Sequence, residues 1–244
     1  MATIVWSLGL SAVVPLATAA YTPTAGDLIK TATSAAVYYI DADGKRHLFV
    51  NAVTFWTWYS GDRTRWTGIK FGNTAKTITV ISQTDFDALT LGSHVAVRPG
   101  VNLVKFQNSP KTYAVLPGNV LSWVSTADAA SALYGANWLT KVITIQDGFE
   151  NDYAKTGTDL TASSKLPDGS LVKWSGSENI YYLSDGKKRL VSTDAFVANG
   201  FKDTSVLTAA ASMAYDAGTG ITAEEAALST VSGTGSTPSA AAGT

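Results

Sequence analysis

The chain has 244 residues, 18 basic and 19 acidic, for a net charge of -1; 45% of it is hydrophobic and only 15% is charged. That balance fits a chain that buries a core, and it leaves no basic stripe to grip nucleic acid. There is no cysteine and there are two histidines, His47 and His94, so disulfides, thiolate nucleophiles and cysteine-ligated zinc are excluded and a histidine cluster is hard to build.

The first element in chain order is an apolar run over residues 4–16, closed by Ala17-Thr18-Ala19-Ala20. An apolar stretch followed by small residues predicts a signal-peptide-like segment over residues 1–20, cleaved after Ala19 or Ala20. No Lys or Arg lies within residues 1–16, so the usual positive leader is missing, and a buried core helix is the alternative. The run is too short for a comfortable membrane span of about 20 residues, and no other stretch offers one.

The remainder reads as three copies of one unit. Gly26-Asp27-Leu28-Ile29-Lys30 leads to Val37-Tyr38-Tyr39-Ile40, and Gly169-Ser170-Leu171-Val172-Lys173 leads to Ile180-Tyr181-Tyr182-Leu183. A worn copy, Asn102-Leu103-Val104-Lys105, leads to Thr112-Tyr113-Ala114-Val115; in all three the second segment starts seven residues after the lysine. Turns follow at Asp43-Gly44, Pro117-Gly118-Asn119 and Asp185-Gly186, supplying the positive φ that hairpins need. Each copy then has a strand, a short helical segment (residues 52–59, 125–134 and 192–199) and a further strand, as at 77–81 or 141–145. The expected fold is mainly β with short helices, a β-rich α+β architecture of three degenerate strand–loop–strand–turn–strand–helix repeats. The units are expected over residues 21–95, 96–160 and 161–222, with a Ser/Thr/Ala/Gly-rich linker or tail over 223–244. Alternation places Tyr38 and Ile40 on one sheet face and Tyr39 on the other, likewise Tyr181 and Leu183 opposite Tyr182. Leu28, Ile40, Leu171 and Leu183 are expected to be buried.

Residues 25–153 resemble a module of surface-layer-type proteins of Patescibacteria, small-celled uncultivated bacteria. The resemblance rests on Ala25-Gly26-Asp27-Leu28-Ile29-Lys30, Val37-Tyr38-Tyr39-Ile40, Gly44-Lys45-Arg46-His47, Val97-Arg98-Pro99-Gly100, Leu133-Tyr134-Gly135-Ala136-Asn137-Trp138 and Gly148-Phe149-Glu150-Asn151-Asp152-Tyr153. The leader Ala2-Thr3-Ile4-Val5-Trp6-Ser7-Leu8-Gly9-Leu10 is similar to leaders found there. The resemblance implies secretion and a place in the cell envelope, and it brings no catalytic residues with it.

The search for chemistry yields little. Asp41-Ala42-Asp43-Gly44 opens like a calcium loop, but its twelfth position is Ala52 rather than a bidentate Glu, so a hairpin turn is the better reading. No cofactor is expected, and calcium is unsupported by any motif. Asp147, Glu150 and Asp152, like Glu224 and Glu225, are expected to be solvated surface groups rather than a glycosidase pair. His47 is expected to be an exposed strand residue, and no Gly-x-Ser-x-Gly elbow or phosphate-binding glycine loop is present. Trp56, Trp58, Tyr59 and Trp66 are the densest aromatic cluster, and form either a binding platform for sugar rings or the packing of a helix on a sheet, with packing favoured. The expectation is an extracellular, non-enzymatic subunit or anchoring region of a bacterial surface, self-associating or contacting other envelope proteins. The alternative is a cell-wall or carbohydrate-binding module using exposed aromatics.

Overall fold

The structure, a computed structural model, describes residues 20–100, 102–229 and 231. The signal-peptide-like segment lies outside these residues except for Ala20, and so does the tail from 232. The described chain is β-rich, with several small sheets and short helices. No helix among the described residues is long and apolar enough to cross a membrane.

The first unit contains β1 (Leu28–Thr31), β2 (Tyr38–Ile40), β3 (Arg46–Leu48), α1 (Ala52–Trp58), β4 (Ser60–Asp62), β5 (Thr67–Phe71), β6 (Thr74–Ala75), β7 (Ile78–Ile81) and α2 (Gln83–Ala88). The second contains β8 (Leu103–Phe106), β9 (Thr112–Leu116), β10 (Val120–Val124), α3 (Ala127–Tyr134), β11 (Val142–Ile145) and β12 (Ala154–Lys155). The third contains β13 (Leu171–Trp174), β14 (Tyr181–Ser184), β15 (Lys187–Leu190), α4 (Thr193–Ala198), β16 (Val206–Ala209) and β17 (Asp216–Ala217), followed by α5 (Ala226–Ser229).

The sheet orders are β3-β2-β1-β7, β11-β8-β9-β10-β12 and β16-β13-β14-β15-β17. They are one topology. An antiparallel meander of three strands is crossed by a helix, and the next strand runs parallel to the first, in register Lys30↔Val80, Lys105↔Thr144 and Lys173↔Thr208. A fifth segment then pairs in parallel with the third strand; in the first unit it shrinks to the bridges Arg46↔Leu91 and Phe49↔Val95. The three lysines therefore occupy equivalent strand positions. The first unit alone carries an extra sheet, β4-β5-β6.

Local chemistry explains the repetition. Gly26, Gly100 and Gly169 all have positive φ, and their N–H groups donate to the carbonyls of Ile40, Val115 and Leu183, so the same turn starts each unit. Asp185 and Gly186 both have positive φ, as a two-residue hairpin loop requires. Each crossover helix has a side-chain cap on a backbone N–H: Asn51 on Thr54, Thr126 on Ala129, Ser192 on Ala195.

Leu28, Ile40, Leu171 and Leu183 are all buried. Tyr38 and Ile40 pack with Ile29 and Phe86, whereas Tyr39 joins Leu28 in a separate cluster with Phe49, Phe55 and Trp58. Tyr182 likewise joins Leu171 and Val191, while Tyr181 and Leu183 face the second unit, where they meet Leu103 and Ala114. The second and third units thus share one continuous core, because a unit of three short strands buries too little alone. Part of the expected linker packs on the fold instead: α5 does so through Leu228, and Val231 reaches into the core of the first unit. The Glu225 carboxylate, expected to be solvated, clamps Arg189 with both oxygens, at 2.9 and 2.5 Å.

Candidate functional site

The aromatic cluster is interior. Trp56, Trp58 and Tyr59 are 5%, 3% and 2% exposed, because α1 presents its bulky face to the first sheet. Trp58 Nε1 donates to the Ala96 carbonyl at 2.8 Å. Such burial makes them packing residues rather than the exposed stacking platform that was the alternative. Trp66 alone keeps about a third of its surface in solvent, at 36%. Its φ of 56° is unusual for a bulky side chain. The ring rests on Phe55 and Trp56, with centroids 5.0 and 5.2 Å away, and Asp62 organises the preceding turn by accepting the N–H groups of Thr64 and Arg65.

Behind this cluster, α1, α2 and α4 each end without a basic residue in the last turn, and each receives a cation from elsewhere in the chain. Lys202 Nζ donates to the carbonyls of Trp56, Thr57 and Tyr59 at 2.6, 3.1 and 2.9 Å. The Arg98 guanidinium donates to the carbonyls of Gly200, Asn199 and Leu228. It also lies over the rings of Phe201, Trp58 and Phe71 at 5.0, 5.2 and 5.7 Å. Arg46 reaches the carbonyls of Phe86 and Leu89 and covers the Phe86 ring. These are the orphan carbonyls and negative dipole ends of helices, met by positive charge. Burial pushes the Lys202 ammonium down to about 7, helped by the nearby Arg98 and Arg63 charges. Three carbonyl acceptors each need a donated N–H, so the geometry holds the charged form. Burial likewise pushes Arg98 down to about 10, partly opposed by Tyr182.

A cleft of about 930 Å³ lies between the extra sheet of the first unit and the third unit. Trp58, Phe196, Phe201 and Ile221 form its apolar lining, and Glu178 and Asp203 add two carboxylates. Both carboxylates are exposed. Gly72 seats this interface: a Cβ there would meet the Val197 carbonyl oxygen at 2.3 Å.

Neither histidine is a surface group. His47, expected to be exposed, is buried because its Nδ1 faces the Ser93 carbonyl at 2.7 Å and its Nε2 faces Asp41 Oδ2 at 2.9 Å. The other oxygen of Asp41 accepts the N–H groups of Asp43 and Lys45, which fixes Asp41–Gly44 as the β2–β3 turn. Burial alone would raise the Asp41 carboxyl, but the His47 hydrogen bond and the two amides hold it below the usual range. His94 Nδ1 pairs with Asp152 Oδ2 at 2.5 Å, packed against Phe149 and Tyr153. Asp152 is exposed, as expected of a surface group, and through this contact also holds the buried His94, while Asp147 accepts from Asn108 and Glu150 pairs with Lys155. Among the described residues no group of three or more His, Asp or Glu is arranged to hold a metal ion.

The cationic caps were missed in the sequence. A signal existed for Arg98, a lone charge behind the apolar Val95-Ala96-Val97; Lys202 stands after Gly200-Phe201 with nothing to mark it. Compared with protein-family models, with curated proteins and with solved structures, the chain matches none.

Proposed function

We propose that the chain is a secreted structural subunit, or the anchoring region of one, at a bacterial cell surface, and that it acts through contacts between surfaces rather than turnover. The observation that carries this reading is one sheet topology used three times and fastened across units by the Lys202 and Arg98 caps. Repeats joined in this way present extended faces suited to association. The buried titratable groups support it as well, since His47, His94, Asp41, Arg98 and Lys202 are engaged in holding turns, helix ends and unit junctions. The apolar leader and the surface-layer resemblance point to export.

Exposed apolar side chains at Val53, Val80, Leu91, Leu139 and Leu190 are the candidate contact points, Leu139 being the most exposed at 68%. The test is electron microscopy of the purified chain and of Leu91→Asp and Leu139→Asp variants. Ordered assemblies that at least one variant loses while staying folded support the reading. Monomers at every concentration, with turnover of model glycosides abolished by Glu178→Gln or Asp203→Asn, would overturn it. A second reading, a carbohydrate-binding module, is favoured by Trp66 alone, and glycan binding lost in Trp66→Ala would select it.

A further inference from the structure

A second, smaller pocket of about 240 Å³ lies where all three units meet. The first unit contributes Val53, Trp56 and Thr57 of α1, and Arg63 from the turn after β4. Asn102 and Lys141 come from the second unit, at the starts of the paired strands β8 and β11. Lys202, Thr204 and Ser205 come from the third, just before β16. Three cations line it, and no Asp or Glu does.

The cations differ in what they have left to offer. Lys202 has all three N–H groups committed to α1 and contributes charge alone. Arg63 and Lys141 make no ion pair among the described residues. Arg63 is exposed and Lys141 is half-buried, so both donors can reach a ligand entering from solvent. The amide of Asn102 and the hydroxyls of Thr204 and Ser205 add neutral hydrogen-bonding groups around them. Like charges drawn together without a counter-ion repel, and an anion between them turns that repulsion into charge-assisted hydrogen bonds. Burial, with the neighbouring Arg98 and Arg63 charges, pushes the Lys202 ammonium down to about 7, in keeping with cations gathered at this junction.

We propose that this three-unit junction binds a small anion, a phosphate or carboxylate group on a carrier no larger than a single polar unit. The size limit follows from the volume, which falls below the roughly 300 Å³ at which pockets begin to enclose drug-sized ligands. Because each unit supplies a cation, the bound anion ties the three units together and raises the stability of the whole chain. The site stands whether or not the chain assembles, since neither Leu91 nor Leu139, the residues replaced to test assembly, lines it.

The experiment is calorimetric titration and thermal unfolding of the whole protein with inorganic phosphate, with glucuronate and with glucose at constant ionic strength. Phosphate or glucuronate is expected to bind and to raise Tm, and glucose to do neither; whichever anion binds more tightly identifies the source of the charge. Arg63→Ala and Lys141→Gln are each expected to weaken binding about tenfold, the loss of one charge-assisted contact, while Arg65→Ala, outside the pocket, leaves it unchanged. Both substitutions remove unpaired side chains, and the Tm without ligand verifies that the variants fold. Absence of binding by both anions at millimolar concentration, or affinity that survives in Arg63→Ala and Lys141→Gln, would overturn the proposal.

Discussion

Replacing Lys202 with Met keeps the apolar stem and removes the ammonium, so the carbonyls of Trp56, Thr57 and Tyr59 lose their donor together. A hydrogen bond from a charged donor contributes about 1.5–3 kcal/mol, and a buried carbonyl left without one costs about 1–3 kcal/mol. Against these stands the cost of keeping a charge from water, visible in the downward displacement of the ammonium to about 7. Met does not carry that cost. The net expectation is a loss of about 3 kcal/mol, near the low end for removing one partner of a buried polar group. For a chain of this size that corresponds to a fall in Tm of roughly 6–12 °C. The assay is thermal unfolding followed by near-ultraviolet circular dichroism, which reads Trp56 and Trp58 directly beside the lesion. Lys187→Met, at an exposed position on β15, is the control. A Tm for Lys202→Met within about 2 °C of that control would refute the reasoning, since an uncapped and loosened α1 should unfold measurably earlier.

Three further outcomes are expected. Burial holds the His94 imidazole below its ordinary 6.5 in spite of Asp152, and its Nε2 has no partner. The unfolded chain therefore takes up a proton that the folded one resists, and stability should fall as pH drops through 6.5, by at most about 1.4 kcal/mol per pH unit. Denaturant unfolding of the parent and of His94→Gln across that range checks it; an unchanged slope in the variant contradicts it. Gly92→Ala would place a Cβ 2.3 Å from His47 Cε1, against a ring pinned at both nitrogens, and should cost about 1–3 kcal/mol, read as a shift in the denaturation midpoint without a change in slope. Leu183→Ala should cost about 2–5 kcal/mol by the same measurement, because Leu183 lies fully buried in the core shared by the second and third units.

Local features were legible in the sequence and long-range ones were not. The lysine spacing, the Asp-Gly and Pro-Gly turns and the Tyr-Tyr alternation rest on contacts between near neighbours, and the corresponding strands, turns and faces are all present. The parallel return of β7, β11 and β16 beside the first strands joins residues 50, 39 and 35 positions apart, and nothing in the spacing of either segment encodes it. The same holds for the candidate sites. Four clustered aromatics drew attention because aromatics bind sugars, yet three of them face inward because α1 must cover the first sheet. His47 looked exposed beside Lys45 and Arg46, but alternation along β3 turns it inward, toward Asp41. Arg63, Lys141 and Lys202 are scattered through the chain as ordinary single charges, and only the packing of three units brings them to one pocket.

The central claim, that this chain works by association, is tested most directly by imaging the purified protein by electron microscopy over a range of concentrations. Ordered sheets or filaments that Leu139→Asp disperses without lowering Tm are the expected result. A folded protein that remains monomeric throughout, and that hydrolyses a glycoside until Glu178 or Asp203 is replaced, would contradict it.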